Sequence, residues 1–112
     1  MSLYESGYFF EGRSHFGLTG KYYGTISLIN NALVFFGKDD RQVKILLEFI
    51  KEIDSRKCLV HITQKDDKIW TFFISPKGSR SNLSFSQISE CRRKAYSMGN
   101  MLKYLINDLN QK

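Results

Sequence analysis

One proline, two cysteines and a single tryptophan in 112 residues are scarcities that each exclude something. With so little proline and no low-complexity run, no stretch reads as a linker or a disordered tail, so a single domain over residues 1–112 is expected, its first four residues flexible. Cys58 and Cys91 form no Cys-x-x-Cys pair and no Cys/His cluster, so neither a zinc site nor a redox motif is supported. Both are expected as reduced thiols in or near the core. No window approaches the roughly 18 apolar residues that span a bilayer, and no basic segment followed by an apolar run opens the chain. A cytoplasmic protein, at most peripheral at a membrane, is the expectation.

Catalytic signatures are also missing. There is no nucleophile paired with a base, no carboxylate pair at a diagnostic spacing, and no metal cluster. Gly12, Gly17 and Gly20 match neither nucleotide-binding fingerprint, and no helix follows them. His15 lies in that glycine-rich loop and His61 on a strand position that alternates outward, while Asp39, Asp40, Asp66 and Asp67 fall in turns, where aspartate belongs for backbone reasons. The chain is therefore expected to be no enzyme, with no catalytic residue, metal or cofactor.

Present in quantity are aromatic and basic residues. Nine Phe and six Tyr suit β-structure, because wide rings fill a pleated, half-buried surface. Lys and Arg outnumber Asp and Glu by 17 to 11, for a net charge of +6 and a pI near 9.4, which favours anionic partners. The excess is modest, since small domains commonly carry a net charge of about 2 to 8.

Period-two alternation runs through most of the chain. Tyr8, Phe9 and Phe10 lie in a first strand over residues 5–12, and residues 21–29 and 33–37 form a hairpin about Asn30 and Asn31 with Ile26, Leu28, Leu33 and Phe35 inward. Val43, Ile45 and Leu47 alternate in a fourth strand, after which residues 51–57 read as a charged connection. Residues 58–63 and 69–74 form a second hairpin, with Trp70, Phe72 and Ile74 on one face. Residues 75–82 are the richest turn segment, and Leu83 with Phe85 gives a short seventh strand. From Ser86 the period changes: Ile88, Cys91, Ala95, Met98, Leu102, Leu105, Ile106 and Leu109 recur at threes and fours, one stripe of an amphipathic helix. Gly99 beside that stripe allows close approach to another backbone.

Gly24-x-Ile26-x-Leu28, Leu33-x-Phe35 and Ile50-x-x-Ile53, with the opening strand Tyr8 to Gly12, resemble the GRAM-type branch of the pleckstrin-homology-like domains from about Tyr8 to Leu109. Asn30, where the family usually has threonine, and Leu46, in place of a frequent proline, depart from its pattern. The resemblance implies a mainly β fold, a PH-like barrel of about seven antiparallel strands capped by one C-terminal amphipathic α-helix. It also implies that the connections between strands one and two, three and four, and six and seven share one open end, where ligand-binding members hold phosphorylated headgroups. That end would gather Arg13, Lys21, Lys38, Arg41, Lys77 and Arg80 against Asp39 and Asp40. The opposite end would hold Lys51, Arg56, Lys57, Lys65 and Lys68 against four acids.

Such polarised charge is expected to give a non-enzymatic module that associates weakly with an acidic membrane surface or phospholipid headgroups, each cation near the surface contributing about 1 kcal/mol. The spaced-basic motif of strong phosphoinositide binders is absent, so a general preference for acidic surfaces is favoured over a selective pocket. The alternative is a protein-interaction module of the same fold, taking a peptide or partner at a sheet edge or helix groove. Nucleic acid is the least favoured partner, because the aromatics alternate inward and only Tyr22, Tyr23 or Tyr104 could stack on bases.

Overall fold

The computed structural model describes residues 4–12, 22–37, 40–74 and 85–110. Seven strands, β1 (Tyr4–Glu11), β2 (Tyr22–Ile29), β3 (Ala32–Gly37), β4 (Gln42–Leu46), β5 (Ile50–Arg56), β6 (Leu59–Gln64) and β7 (Ile69–Ile74), precede one helix, α1 (Phe85–Asn110). A single 3-10 turn, Leu47–Phe49, links β4 to β5. All pairings are antiparallel, in the order β4-β3-β2-β1-β7-β6-β5. The mainly β expectation therefore holds in its coarse form. The ladder is not closed, however: β4 and β5 end it, and no pairing joins them.

The strand list differs from the expected one. Residues 51–57, read as a connection, belong to β5, because the register shifts between Ile50 and Glu52 and places Ile50 and Ile53 inward at a spacing of three. A bulge of this kind hides period-two alternation. At the other end, Phe85 opens the helix instead of closing a seventh strand, and Leu83 lies outside the described residues. The β2–β3 turn behaves as its residues demand: Asn30 and Asn31 both hold positive φ, at 50° and 63°, as a two-residue hairpin turn requires.

Two glycines let the sheet bend. A Cβ on Gly7 would fall on the Phe73 carbonyl oxygen, and one on Gly24 on that of Phe36. These residues are paired with each other across β1 and β2, so the bend crosses both strands at one level. Inside it Phe9 stacks on Phe35 at 4.7 Å and on Trp70 at 5.1 Å, with Phe72 tilted against Phe9 at 6.3 Å. Ile26, Leu33, Ile45, Val60, Ile62 and Ile74 complete this core, each fully buried aliphatic or aromatic side chain contributing roughly 1.5–3 kcal/mol.

The helix closes the core with the stripe that the sequence marks. Cys91, Ala95, Met98, Leu102 and Ile106 are buried, Leu105 and Leu109 pack at the margin, and Ile88 is exposed at the N-terminal end. Gly99 does allow the close approach: a Cβ there would fall on Ser55 Oγ, whose hydroxyl donates to the Ala95 carbonyl at 3.0 Å. Arg93 grips both carboxylate oxygens of Glu90 one turn back, and Lys94 reaches Glu5 of β1 at 3.5 Å.

This contact defines a double-mutant cycle. Gly99→Ala is expected to cost about 1–3 kcal/mol by overpacking. In a Ser55→Ala background the same change should cost less, since only the residue-55 Cβ, 3.3 Å from the added methyl, then stands in its way, and alanine gains about 1 kcal/mol of helix propensity over glycine. Denaturant melts of the four proteins check this, and additive effects would refute the contact.

Candidate functional site

Strands β1, β3 and β6 run in one direction, so the β1–β2, β3–β4 and β6–β7 connections leave the sheet on the same side. Their contents differ from expectation. Because β7 is Ile69–Ile74, the β6–β7 connection is residues 65–68, and residues 75–82 follow the last strand. Ile74 pairs with Gly7 while Trp70 pairs with Glu11, so β7 runs away from that side. Lys65 and Lys68, assigned from sequence to the opposite end, thus lie on the shared rim.

Of the six expected ligand-binding cations, Arg41 is described and exposed; its carbonyl accepts from the Gly37 N–H at 2.7 Å and closes the β3–β4 turn. Arg13, Lys21, Lys38, Lys77 and Arg80 lie outside the described residues. The described turn residues at the rim bring three cations, Arg41, Lys65 and Lys68, against three acids, Asp40, Asp66 and Asp67. Several are engaged. Lys68 reaches Glu11 at 3.2 Å and sits over the Trp70 ring at 4.9 Å, Lys51 pairs with Asp67 at 3.1 Å, and Asp66 accepts from the Lys68 N–H at 3.0 Å. Exposed pairs of this kind stabilise by at most about 1 kcal/mol, but they cancel the charge that a surface would feel.

Behind the rim lies a buried polar relay. Phe10, Thr71 and His61 stand directly opposite one another on β1, β7 and β6, and all three are buried. The Thr71 hydroxyl donates to the Gly12 carbonyl, so His61 Nδ1, 2.8 Å from Thr71 Oγ1, donates to the hydroxyl and carries the proton. His61, for which a surface or hydrogen-bonded place is expected, is therefore a buried, hydrogen-bonded strut at the exit of β1.

A cleft beside β4 was not anticipated. It has a volume of about 590 Å³ and is lined by Lys44, Leu46, Glu48, Phe49, Gln64 and Lys65, between the free edge of β4 and the end of β6. The 3-10 turn is pinned on both sides of it: Leu47 N–H donates to the Asn31 carbonyl and Lys65 N–H to the Phe49 carbonyl, each at 2.9 Å. Trp70 Nε1 holds Gln64 Oε1 at 3.3 Å. Leu46 and Phe49 are 44% and 41% exposed there. The run Ile45-Leu46-Leu47 was the available signal, because three consecutive apolar residues on a strand cannot all face the core.

Other candidate chemistry is accounted for structurally. Among the described residues no group of three or more His, Cys, Asp or Glu side chains could hold a metal ion. No described helix is long and apolar enough to cross a membrane. Of the tyrosines considered for base stacking, Tyr23 is edge-on against Tyr8 at 5.3 Å, while Tyr104 is exposed. In comparisons with known proteins, no family model matches the chain and no curated protein matches it.

Cys58 and Cys91 meet where the β5–β6 turn touches α1. Both are buried and free, within hydrogen-bonding reach of each other, and Cys58 Sγ donates to the Ile88 carbonyl at 3.8 Å. Burial raises the Cys58 thiol, and burial followed by the neighbouring Cys58 pushes Cys91 up to about 11. A thiol held neutral in the fold stabilises it fully below the unfolded value of 9.0, and that contribution is lost as pH rises toward about 11. The melting temperature should therefore fall across that window, and fall less in Cys91→Ala. Native protein should leave both thiols unmodified by a disulfide-exchange reagent at neutral pH; rapid reaction before unfolding would contradict the burial.

Proposed function

We propose that the chain is a non-enzymatic binding module of the PH-like, GRAM-type kind, and that it acts by protein contact at the open edge of its sheet. The observation that carries this reading is the side of β4 left unpaired among the described residues, beside a cleft with two exposed apolar side chains, Leu46 and Phe49. An exposed sheet edge offers a row of backbone donors and acceptors to an extended partner, and apolar side chains next to it add burial on binding. The PH-like assignment is supported by the order of elements, seven antiparallel strands followed by one helix, and by the motif residues Gly24, Ile26, Leu28, Leu33, Phe35, Ile50 and Ile53, which fall on β2, β3 and β5.

A second reading is supported by the net charge of +6: weak association with an acidic membrane surface or phospholipid headgroups through Arg13, Lys21, Lys38, Arg41, Lys77 and Arg80. It ranks behind protein contact because the described turn residues of the rim are balanced in charge and partly paired internally. A modest patch of cations binds acidic vesicles in proportion to their anionic lipid and loses them with salt.

The two readings separate on one set of variants. Partner capture from extract is expected to survive reversal of Lys38, Arg41, Lys77 and Arg80 to glutamate and to be lost in Leu46→Asp combined with Phe49→Asp, both surface changes that leave the melting temperature within a few degrees. Sedimentation with vesicles that rises with anionic lipid, vanishes on charge reversal and ignores the edge variants would instead establish the membrane reading.

A further inference from the structure

We propose that the free edge of β4 takes up an extended acidic peptide segment as an eighth strand, with a carboxylate of that segment seated against Lys44. The inference rests on the protein-contact reading and names the chemistry of the partner. Two bonds fix the phase of the ladder. Gly37 N–H donates to the Arg41 carbonyl and Leu47 N–H to the Asn31 carbonyl, so residues 41 and 47 turn their backbone groups toward the β2–β3 side. By the alternation of an antiparallel pair, Gln42 and Lys44 turn theirs away, toward the cleft. A partner strand finds two N–H and two C=O groups there.

Charge selects which strand it accepts. Among the described residues the lysines lining the cleft, Lys44 and Lys65, have no ion pair, whereas Lys51, Lys68 and Lys94 are paired with Asp67, Glu11 and Glu5. One acid, Glu48, faces the two lysines. A second copy of this chain is disfavoured at the same edge, because pairing centred on the middle of β4 sets two Lys44 ammonium groups opposite each other. A lysine in the middle of an edge strand blunts self-pairing; the same charge turns the edge toward a segment carrying Asp or Glu at that register.

Sheet registers supply the rest of the pattern. Ile29, Ala32 and Leu46 form one row across β2, β3 and β4, and Ser27, Val34 and Lys44 form the row two residues away. An added strand extends both rows, so an apolar residue beside Leu46 and a carboxylate beside Lys44 belong two positions apart in the partner. The other free edge, β5, is less suited. Its ladder is bulged between Ile50 and Glu52, Lys51 is held by Asp67, and α1 packs against it through Gly99 and Ser55.

The test uses the whole chain and a short fluorescent peptide of alternating threonine and valine with one central glutamate. Two further probes carry a central lysine, or N-methyl groups on the amides that would join the ladder. The glutamate peptide is expected to bind roughly fivefold or more tightly than the lysine peptide, and the methylated one not to saturate. Lys44→Glu, an exposed change checked by its melting temperature, should invert that preference, with amide shifts in nuclear magnetic resonance spectra centred on residues 42–46. Equal affinity of the two charged peptides, or a preference untouched by Lys44→Glu, overturns the inference. Shifts confined to β5 and α1 overturn the edge assignment while leaving protein contact standing. Partner capture lost in the Leu46 and Phe49 variants, with no saturable shift from any peptide, likewise overturns the acidic strand alone.

Discussion

A single antiparallel sheet of seven strands can enclose a core only by bending hard, and the bend here passes through Gly7 and Gly24, where each neighbouring carbonyl occupies the space of a Cβ. Any side chain at either position would push β1 from β7 or β2 from β3. The convergence of Phe9, Phe35, Phe72 and Trp70 depends on that curvature, because these rings come from three strands, β1, β3 and β7, that are far apart in sequence. Hydrophobic burial then stabilises what the glycines permit.

The helix and the 3-10 turn finish the enclosure in different ways. Along α1 the seal is apolar and close, tightest where Gly99 meets Ser55. Between β4 and β5 the chain uses the short turn Leu47–Phe49, held by one backbone bond to the β2–β3 turn and one to the β6–β7 turn. Two bonds secure the corner without pairing the strands, so β4 keeps a free edge and the cleft opens beside it. The most reactive-looking side chains, Cys58 and Cys91, lie inside the helix seal, where burial suppresses the thiolate.

Electrostatics divides the surface into compensated and uncompensated parts. At the rim Asp67 holds positive φ at 70° and also pairs with Lys51, and Lys68 reaches Glu11, while Lys65 belongs to the cleft as well. At the cleft Lys44 stands on an edge strand, and among the described residues no neighbouring strand presents it a partner. A net charge of +6 therefore says little about location until the strands are placed.

Much of the fold was legible in residues that obey a period. Ile26, Leu33 and Phe35 on β2 and β3, Phe72 and Ile74 on β7, and the helical stripe from Cys91 to Ile106 are buried as their spacing implies, since each element shows one face to the core. β5 was hidden by its bulge, and the burial of His61 cannot be read from its alternation. Leu46 alternates with the inward Val43, Ile45 and Leu47 and is exposed as that alternation implies, but nothing local shows that it and Phe49 border one cleft. What the sequence by itself determined was the set of elements with an unbroken period, because periodicity is local and each residue's face follows from its neighbours. Which loops share a rim, which lysines are paired and which edge stays open were decided only in the tertiary structure, because they depend on the order of strands in the sheet and on a bend that no local pattern encodes.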